Sequence, residues 1–199
     1  MKYIITGLHS SGKQEVIDIL EKLEVKCGRL FSNIDKASPT LYNSFNYELY
    51  TDKDISEIFE NNAYVFIKDV QREDTVDTFY EGLSKYTFDN NEVFVLSPDE
   101  IISIPNTFTS DDICIVWMDG TLNIRKSRYL FEKRSYNFAK REKFEKREIQ
   151  SFVKKLYDFN PKHQHLLYFS DEEPSRVATI IYTLLKFPEL LPIYEKNFN

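Results

Sequence analysis

The chain is poor in the residues that would commit it to several common protein classes. Two of its 199 residues are cysteine, Cys27 and Cys114, too few for a disulfide framework or a cysteine-built zinc site. Both read as reduced packing residues, Cys114 within an apolar run. The three histidines, His9, His163 and His165, have no third ligand at metal spacing, which argues against a metal centre built on them. The longest purely apolar run, Ile113 to Met118, is far short of the ~20 residues a membrane-spanning helix needs. Met1-Lys2-Tyr3 leads directly into a strand-like segment rather than a signal peptide, so a cytoplasmic protein without membrane attachment is expected. Glycine is scarce, at five residues, so a place where it clusters implies a backbone need.

What is present is enough to fold. Apolar residues are 42% and charged residues 29% of the chain, a balance that excludes disorder driven by charge and low hydrophobicity. The length suits one domain spanning 1–199. The formal charge of −6 disfavours a protein that coats nucleic acid, yet it hides an asymmetry. From Thr121 to Lys155 there are twelve Lys and Arg against four Glu, a local +8, which leaves −14 elsewhere.

Short apolar runs rich in β-formers recur at Tyr3-Ile4-Ile5, Tyr64 to Ile67, Val93 to Leu96, Ile113 to Met118 and Leu166 to Phe169. Nearly continuous apolar runs of this length predict strands covered on both faces, hence a mostly parallel five-stranded sheet. Helical patterns lie between them. Val16, Leu20 and Leu23 share one face, and Ile55, Ile58 and Phe59 another after a Thr51 to Asp54 start. Ser97-Pro98-Asp99-Glu100 predicts a capped helix that Pro105 ends. Ser170 to Glu173 repeats the capping pattern before the stripe Val177, Ile180, Ile181, Leu184 and Leu185, which Pro188 stops. Alternating strands and helices predict an α/β three-layer fold. Residues 121–157 differ: charged throughout, with Ile124, Tyr129, Leu130, Phe131, Tyr136, Phe138, Phe144 and Phe152 interspersed, they predict a basic helical hairpin projecting from the sheet.

The sharpest signal is Gly7-Leu8-His9-Ser10-Ser11-Gly12-Lys13, a G-x-x-x-x-G-K run placed after the first strand and opening a helix. Glycines let successive backbone N–H groups turn inward around a phosphate, the helix start adds partial positive charge, and the lysine reaches the β and γ phosphates. Gly7, Ser10, Ser11, Gly12, Lys13 and Gln14 are therefore the expected nucleotide-binding residues. Gln14 stands where this motif normally has Ser or Thr as a Mg²⁺ ligand; its amide oxygen is the expected metal contact, directly or through water.

The segments after this loop resemble the guanylate kinase family of P-loop nucleoside monophosphate kinases. Tyr47 to Tyr64 is similar, without a gap, to the family's Y-x-F-V-x-x-x-x-F-x-x-M-I-x-x-G-x-F segment. Phe79 to Ser84 is similar to its Y-Y-G-T-S run, Ile113 to Arg134 to its fourth strand and arginine-bearing helix, and Ser170-Asp171-Glu172 to the N-D-D that opens its last helix. The resemblance implies a P-loop kinase fold with an acceptor-binding lobe at about 31–90 and a basic lid at about 121–157. It implies transfer of the γ-phosphoryl group of ATP, with Mg²⁺, to a nucleoside or deoxynucleoside monophosphate. Arg125, Arg128, Arg134, Arg141 and Arg147 are candidates to close over the moving phosphoryl group. Among them the family pattern gives Arg128 a place over adenine, and Arg141 and Arg147 a clamp on phosphates.

The acceptor side departs from the family. In place of S-x-T-T-R-x-x-R the chain has Ser32 to Pro39, keeping a serine and offering Lys36 alone. Two lost charge-assisted contacts amount to about 3–6 kcal/mol, on the order of 10²- to 10⁴-fold in binding. The family's guanine-reading glutamate aligns with Phe66, so GMP selectivity is not expected. Ser32, Lys36, Tyr47 and Tyr80 are the expected acceptor contacts, although Tyr47 and Tyr80 equally suit core packing. Asp69, Asp99 and Asp119 could position Mg²⁺ or water, and Asp119-Gly120 also suits a turn. Two other readings stay open. One is a catalytically silent module that binds a nucleotide or, through the basic hairpin, an acidic protein partner; the other is a kinase for a metabolite that is not a nucleotide.

Overall fold

The computed structural model describes residues 1–34, 47–71, 78–105, 113–131, 137–143, 146, 147, 149 and 164–195. The chain divides into two compact units, one of residues 1–27 and 92–199 and the other of residues 28–91. In chain order the first unit begins with β1 (Lys2–Gly7) and α1 (Lys13–Lys22), and β2 (Cys27–Gly28) straddles the boundary. The second unit contains β3 (Leu30–Ser32), β4 (Tyr47–Leu49), α2 (Asp52–Glu60), β5 (Tyr64–Gln71), β6 (Thr78–Ser84) and α3 (Lys85–Asn90). The first unit resumes with β7 (Val93–Val95), α4 (Pro98–Ile102), β8 (Ile113–Asp119) and α5 (Leu122–Phe131). Then come α6, whose described residues are 138–143, 146, 147 and 149, β9 (Gln164–Ser170), α7 (Pro174–Lys186) and α8 (Leu191–Tyr194).

The first unit is built on a five-stranded, all-parallel sheet of order β2-β7-β1-β8-β9. Ile4 lies between Phe94 on β7 and Ile115 on β8, and Ile115 in turn pairs with Leu166 on β9. Consecutive residues of the central strands are sealed off: Tyr3 to Ile5 and Ile113 to Val116 are each at most 1% exposed. Burial of both odd and even positions means that both faces of the sheet are covered, which is why these strands read as continuous apolar runs rather than as alternations. On one face Tyr3, Ile5, Cys114 and Val116 pack with Val16 and Leu20 of α1 and with Val177, Ile181 and Leu184 of α7. Each such aliphatic side chain contributes about 1.5–3 kcal/mol by leaving water. Among the described residues no helix is long and apolar enough to cross a membrane.

Helix boundaries follow local chemistry. Ser97 accepts from the Glu100 backbone while Glu100 accepts from the Ser97 backbone, a reciprocal cap that opens α4 with Pro98 in its first turn. The helix stops at Ile102, before Pro105 is reached. The expected cap at Ser170 is corrected: Ser170 ends β9, and α7 starts at Pro174 after Glu173, which makes no side-chain cap. Proline at that first position lacks an N–H that would have no intrahelical partner anyway. Leu23 is likewise not on the buried face of α1; it is the exposed C-cap, and Ile17 takes its place in the core.

The second unit carries a four-stranded mixed sheet of order β4-β3-β6-β5, in which β3 and β4 are parallel while β6 runs antiparallel to both β3 and β5. The run Tyr64 to Ile67, expected in the parallel sheet, belongs here. It forms a long antiparallel ladder with β6, Ile67 against Gly82 and Lys68 against Glu81, and two-residue β2 fills the outer place in the parallel sheet instead. Helix α2 is opened by a second reciprocal cap, between Thr51 and Asp54. Ile55 of α2 is buried, and Phe59 meets the rings of Tyr64 and Tyr80 edge-on at 6.0 and 5.2 Å.

Two substitutions test these assignments by thermal and urea unfolding. A Cβ on Gly7, which has φ of 121°, would overlap the Met118 carbonyl of β8; Gly7→Ala therefore costs about 2–5 kcal/mol from backbone strain and overpacking together. Thr51→Ala removes one cap and costs about 1 kcal/mol. Equal losses for the two would mean that the β1–β8 approach does not constrain Gly7.

Candidate functional site

Between the end of β1 and the start of α1 the backbone makes a compact turn with left-handed residues at Gly7 (φ 121°), Ser10 (φ 54°) and Gly12 (φ 94°). Left-handed residues interspersed in a turn curl successive N–H groups into a concave row suited to an anion. Gly12 is the N-cap of α1 and supplies no side-chain acceptor, so the helix's first N–H groups are left to other partners. A side chain at Gly12 is also excluded by space, since a Cβ would come within 2.7 Å of Pro174 Cγ and 3.4 Å of Arg128. Ser10 and Ser11 are buried within the turn.

Lys13 folds back along the loop. Its Nζ donates to the carbonyls of Gly7 (2.9 Å) and Leu8 (2.5 Å), and reaches Ser11 Oγ at 3.4 Å. Arg128 arrives from α5, its guanidinium donating to the Ser11 carbonyl at 2.9 Å. Two cations from different helices thus converge on one turn, and of the expected site residues these are the ones the fold brings together. Gln14 Nε2 donates to Asp18 Oδ1 (2.9 Å), one turn along α1. Arg141 and Arg147 lie exposed on α6.

Arg125 is not a surface arginine of the basic hairpin. It is 2% exposed; its Nε donates to the Gly120 carbonyl at 2.9 Å, and its guanidinium grips Glu142 of α6 at 2.6 and 2.9 Å. The Glu142 carboxyl is held below the usual carboxylate range, first by the hydrogen bond from Arg125, with burial opposing and the charges of Arg125, Lys146 and His9 adding to the depression. Phe138, near the start of α6, lies edge-on to His9 of the loop at 4.5 Å and to Tyr129 of α5 at 5.3 Å. Within 121–157, α5 and the described part of α6 therefore pack on each other, and Phe138 also meets the loop at His9.

At the carboxyl end of β8, one residue beyond the Met118 that pairs with Gly7, Asp119 accepts from the Gly120 N–H (2.7 Å) and from the Tyr168 hydroxyl (3.1 Å). Burial, and then the Asp119 charge, push the Tyr168 phenol up. Asp171, at φ 57°, accepts from Thr121 and ties the β9–α7 turn to the β8–α5 turn. Asp119 thus serves the turn that its dipeptide with Gly120 suggests, Asp99 is an exposed first-turn residue of α4, and Asp69 is exposed on β5. No group of three metal-ligating side chains occurs among the described residues.

In the second unit Ser32 is buried, its hydroxyl accepting from the Ile34 N–H at 3.2 Å. Tyr80 is half-buried against Phe59, and Tyr47, also half-buried, opens β4 opposite Leu30. Phe66 is a buried core residue paired with Leu83. Lys36 and Arg134 lie outside the described residues, as do Tyr136, Phe144 and Phe152. Sequence reasoning missed Asn33, whose side chain accepts from the Tyr80 N–H (2.7 Å) and donates to Asp52 (2.8 Å). It also missed Glu81, 1% exposed and ion-paired with Lys68 at 3.1 Å. A charged residue beside Gly82 within a strand was the one signal for Glu81; Asn33 had none.

No protein-family model matches the chain, and no curated protein matches it. Among solved structures it is similar to guanylate kinase from Anaplasma phagocytophilum, with a TM-score of 0.48 and 7% identity over 100% of this chain and 90% of that one. It is also similar to an unliganded sugar kinase from a Janibacter species, with a TM-score of 0.43 and 14% identity over 96% of each chain.

Proposed function

We propose that the chain is a phosphotransferase that binds ATP on the turn between β1 and α1 and passes its γ-phosphoryl group to a nucleoside or deoxynucleoside monophosphate, without selectivity for GMP. The observation that carries this reading is the convergence of Lys13 and Arg128 on a turn of left-handed residues that opens a helix. The carbonyls that Lys13 contacts are neutral acceptors. Phosphate oxygens are anionic and add a charge–charge attraction to the hydrogen bond, so a triphosphate competes well for the ammonium group. The loop N–H groups and the start of α1 supply the remaining donors.

Transfer of a phosphoryl group needs positioning and neutralisation of charge spread over the moving group more than it needs covalent participation. Lys13 is the residue for the β and γ phosphates, Arg128 holds the loop and the nucleotide beside it, and Arg141 and Arg147 are the proposed phosphate contacts of the basic arm. Magnesium keeps several waters and takes one or two protein oxygens besides phosphate; Gln14 Oε1 is the proposed oxygen, because Nε2 is the atom that Asp18 engages. For the acceptor we propose Ser32, Lys36, Tyr47 and Tyr80. The apolar, buried Phe66 provides no carboxylate for a guanine edge, which supports a broader base preference.

A second reading, nucleotide binding without turnover or docking of an acidic protein partner on the basic arm, is favoured by Gln14, whose amide is engaged by Asp18 and which has no hydroxyl to give a metal. A coupled assay with ATP, Mg²⁺ and a panel of ribo- and deoxynucleoside monophosphates, run beside calorimetry with ATP, separates the two. Turnover on at least one acceptor is expected, with Lys13→Ala lowering kcat on the order of 10²- to 10³-fold, the usual effect of removing one donor to developing charge. Tight ATP binding with no turnover on any acceptor favours the second reading, and turnover indifferent to Lys13→Ala defeats the first. Arg128→Ala is expected to weaken ATP binding about 10-fold or more, as loss of a charged hydrogen-bond donor does.

A further inference from the structure

Three of the proposed acceptor contacts, Ser32, Tyr47 and Tyr80, stand on three different strands, β3, β4 and β6, so their mutual placement depends on how those strands are tied together. On β3 the strand ends at Ser32, opposite Glu81 of β6, and the next pair along is Asn33 against Tyr80. Facing residues of a hydrogen-bonded antiparallel pair exchange two backbone bonds. Here one of the two is made by a side chain. The Asn33 N–H donates to the Tyr80 carbonyl at 3.3 Å, but the Tyr80 N–H donates to the Asn33 side-chain oxygen at 2.7 Å. The side chain thus completes the ladder at the point where the backbone bends, with the Ile34 N–H donating to the Ser32 hydroxyl at 3.2 Å.

The other end of the same amide reaches a different element. Asn33 Nδ2 donates to Asp52 Oδ1 at 2.8 Å, in the first turn of α2. Further along α2, Phe59 meets the Tyr80 ring edge-on at 5.2 Å. Tyr80 is therefore held by its backbone through Asn33 and by its ring through α2, and α2 is itself tied to Asn33. On the far side of β3 the Tyr50 N–H, just past β4, donates to the Ser32 carbonyl at 2.8 Å. The geometry points to Asn33 as the positioning residue of the acceptor site: its carboxamide, accepting from Tyr80 and donating to Asp52, sets Ser32 and Tyr80 in the arrangement that an acceptor monophosphate meets. The inference rests on the proposed function in taking Ser32 and Tyr80 as acceptor contacts, and it gives Asn33 no contact with substrate. A carboxamide supplies one donor and one acceptor group side by side. A carboxylate in its place still accepts from Tyr80 but faces Asp52 with like charge, and an aliphatic side chain offers nothing to either partner.

Steady-state kinetics at saturating ATP, with the monophosphate that the parent protein turns over best, tests the role. Asn33→Asp is expected to raise the KM for that acceptor about 10-fold, the effect of losing one such hydrogen bond, with kcat and the KM for ATP within about threefold of the parent. A residue that served stability alone would lower the folded fraction, and so kcat, without moving KM. Adding Asp52→Asn to N33D exchanges the donor and the acceptor between the two positions and is expected to return KM to within about threefold of the parent, a coupling of the kind that neighbouring residues show. Added to Asn33→Ala, the same change is expected to rescue nothing. A parent-like KM in N33D, or equal rescue of N33A and N33D by D52N, would overturn the positioning role and leave the phosphotransfer reading in place. No turnover by the parent on any acceptor overturns both. Should N33D not fold, N33A and N33D/D52N carry the comparison: a raised KM in the first and a near-parent KM in the second are expected, and equal values overturn the role.

Discussion

The close approach of β1 and β8 at Gly7 is the constraint on which the site depends. The two strands run parallel in register from Lys2 against Ile113 to Gly7 against Met118, and at the last pair there is no room for a side chain. The same residue must then leave the sheet with a positive φ, a combination open only to glycine without strain. Everything after it, the left-handed Ser10, the uncapped start of α1 and the return of Lys13 onto the Gly7 carbonyl, follows from a chain that leaves the sheet in this direction. Apolar burial of α1 and α7 on the sheet supplies the stability that such a strained turn consumes.

Charge is distributed by the same logic. Within the basic stretch of 121–155 one ion pair is internal, in which Glu142 of α6 gives Arg125 of α5 a partner inside the structure while the described cations of α6 stay on its surface. A buried pair is costly to form and more costly to break, so it specifies where α6 docks more than how strongly. The aromatic contacts of Phe138 add area and direction to that docking.

How much of this was legible in the sequence depended on range. The loop Gly7–Lys13 and the caps at Thr51 and Ser97 are set by residues three to six positions apart, and their spacing announced them. The run Tyr64 to Ile67 was assigned to the parallel sheet because a short apolar run does not reveal its partner; its ladder with β6 depends on residues 78–84. Two-residue β2 has no periodicity to detect. The Arg125–Glu142 pair joins residues 17 apart through the packing of two helices, and the Arg128–Ser11 bond spans 117 residues. Neither leaves a local trace, so Arg125 was grouped with the arginines expected to close over the phosphoryl group and Arg128 could be matched only by resemblance.

Because β1, β8 and β9 all run the same way, the segments that follow them, 8–12, 120–121 and 171–173, emerge along one rim, as in open α/β sheets generally. That rim is stitched crosswise by short polar bonds, Asp171 to Thr121 and Tyr168 to Asp119, while the opposite rim carries none of these turns. Connector residues can therefore be exchanged along one border while the apolar interior keeps its shape, so that what this rim presents is set apart from what makes the chain fold.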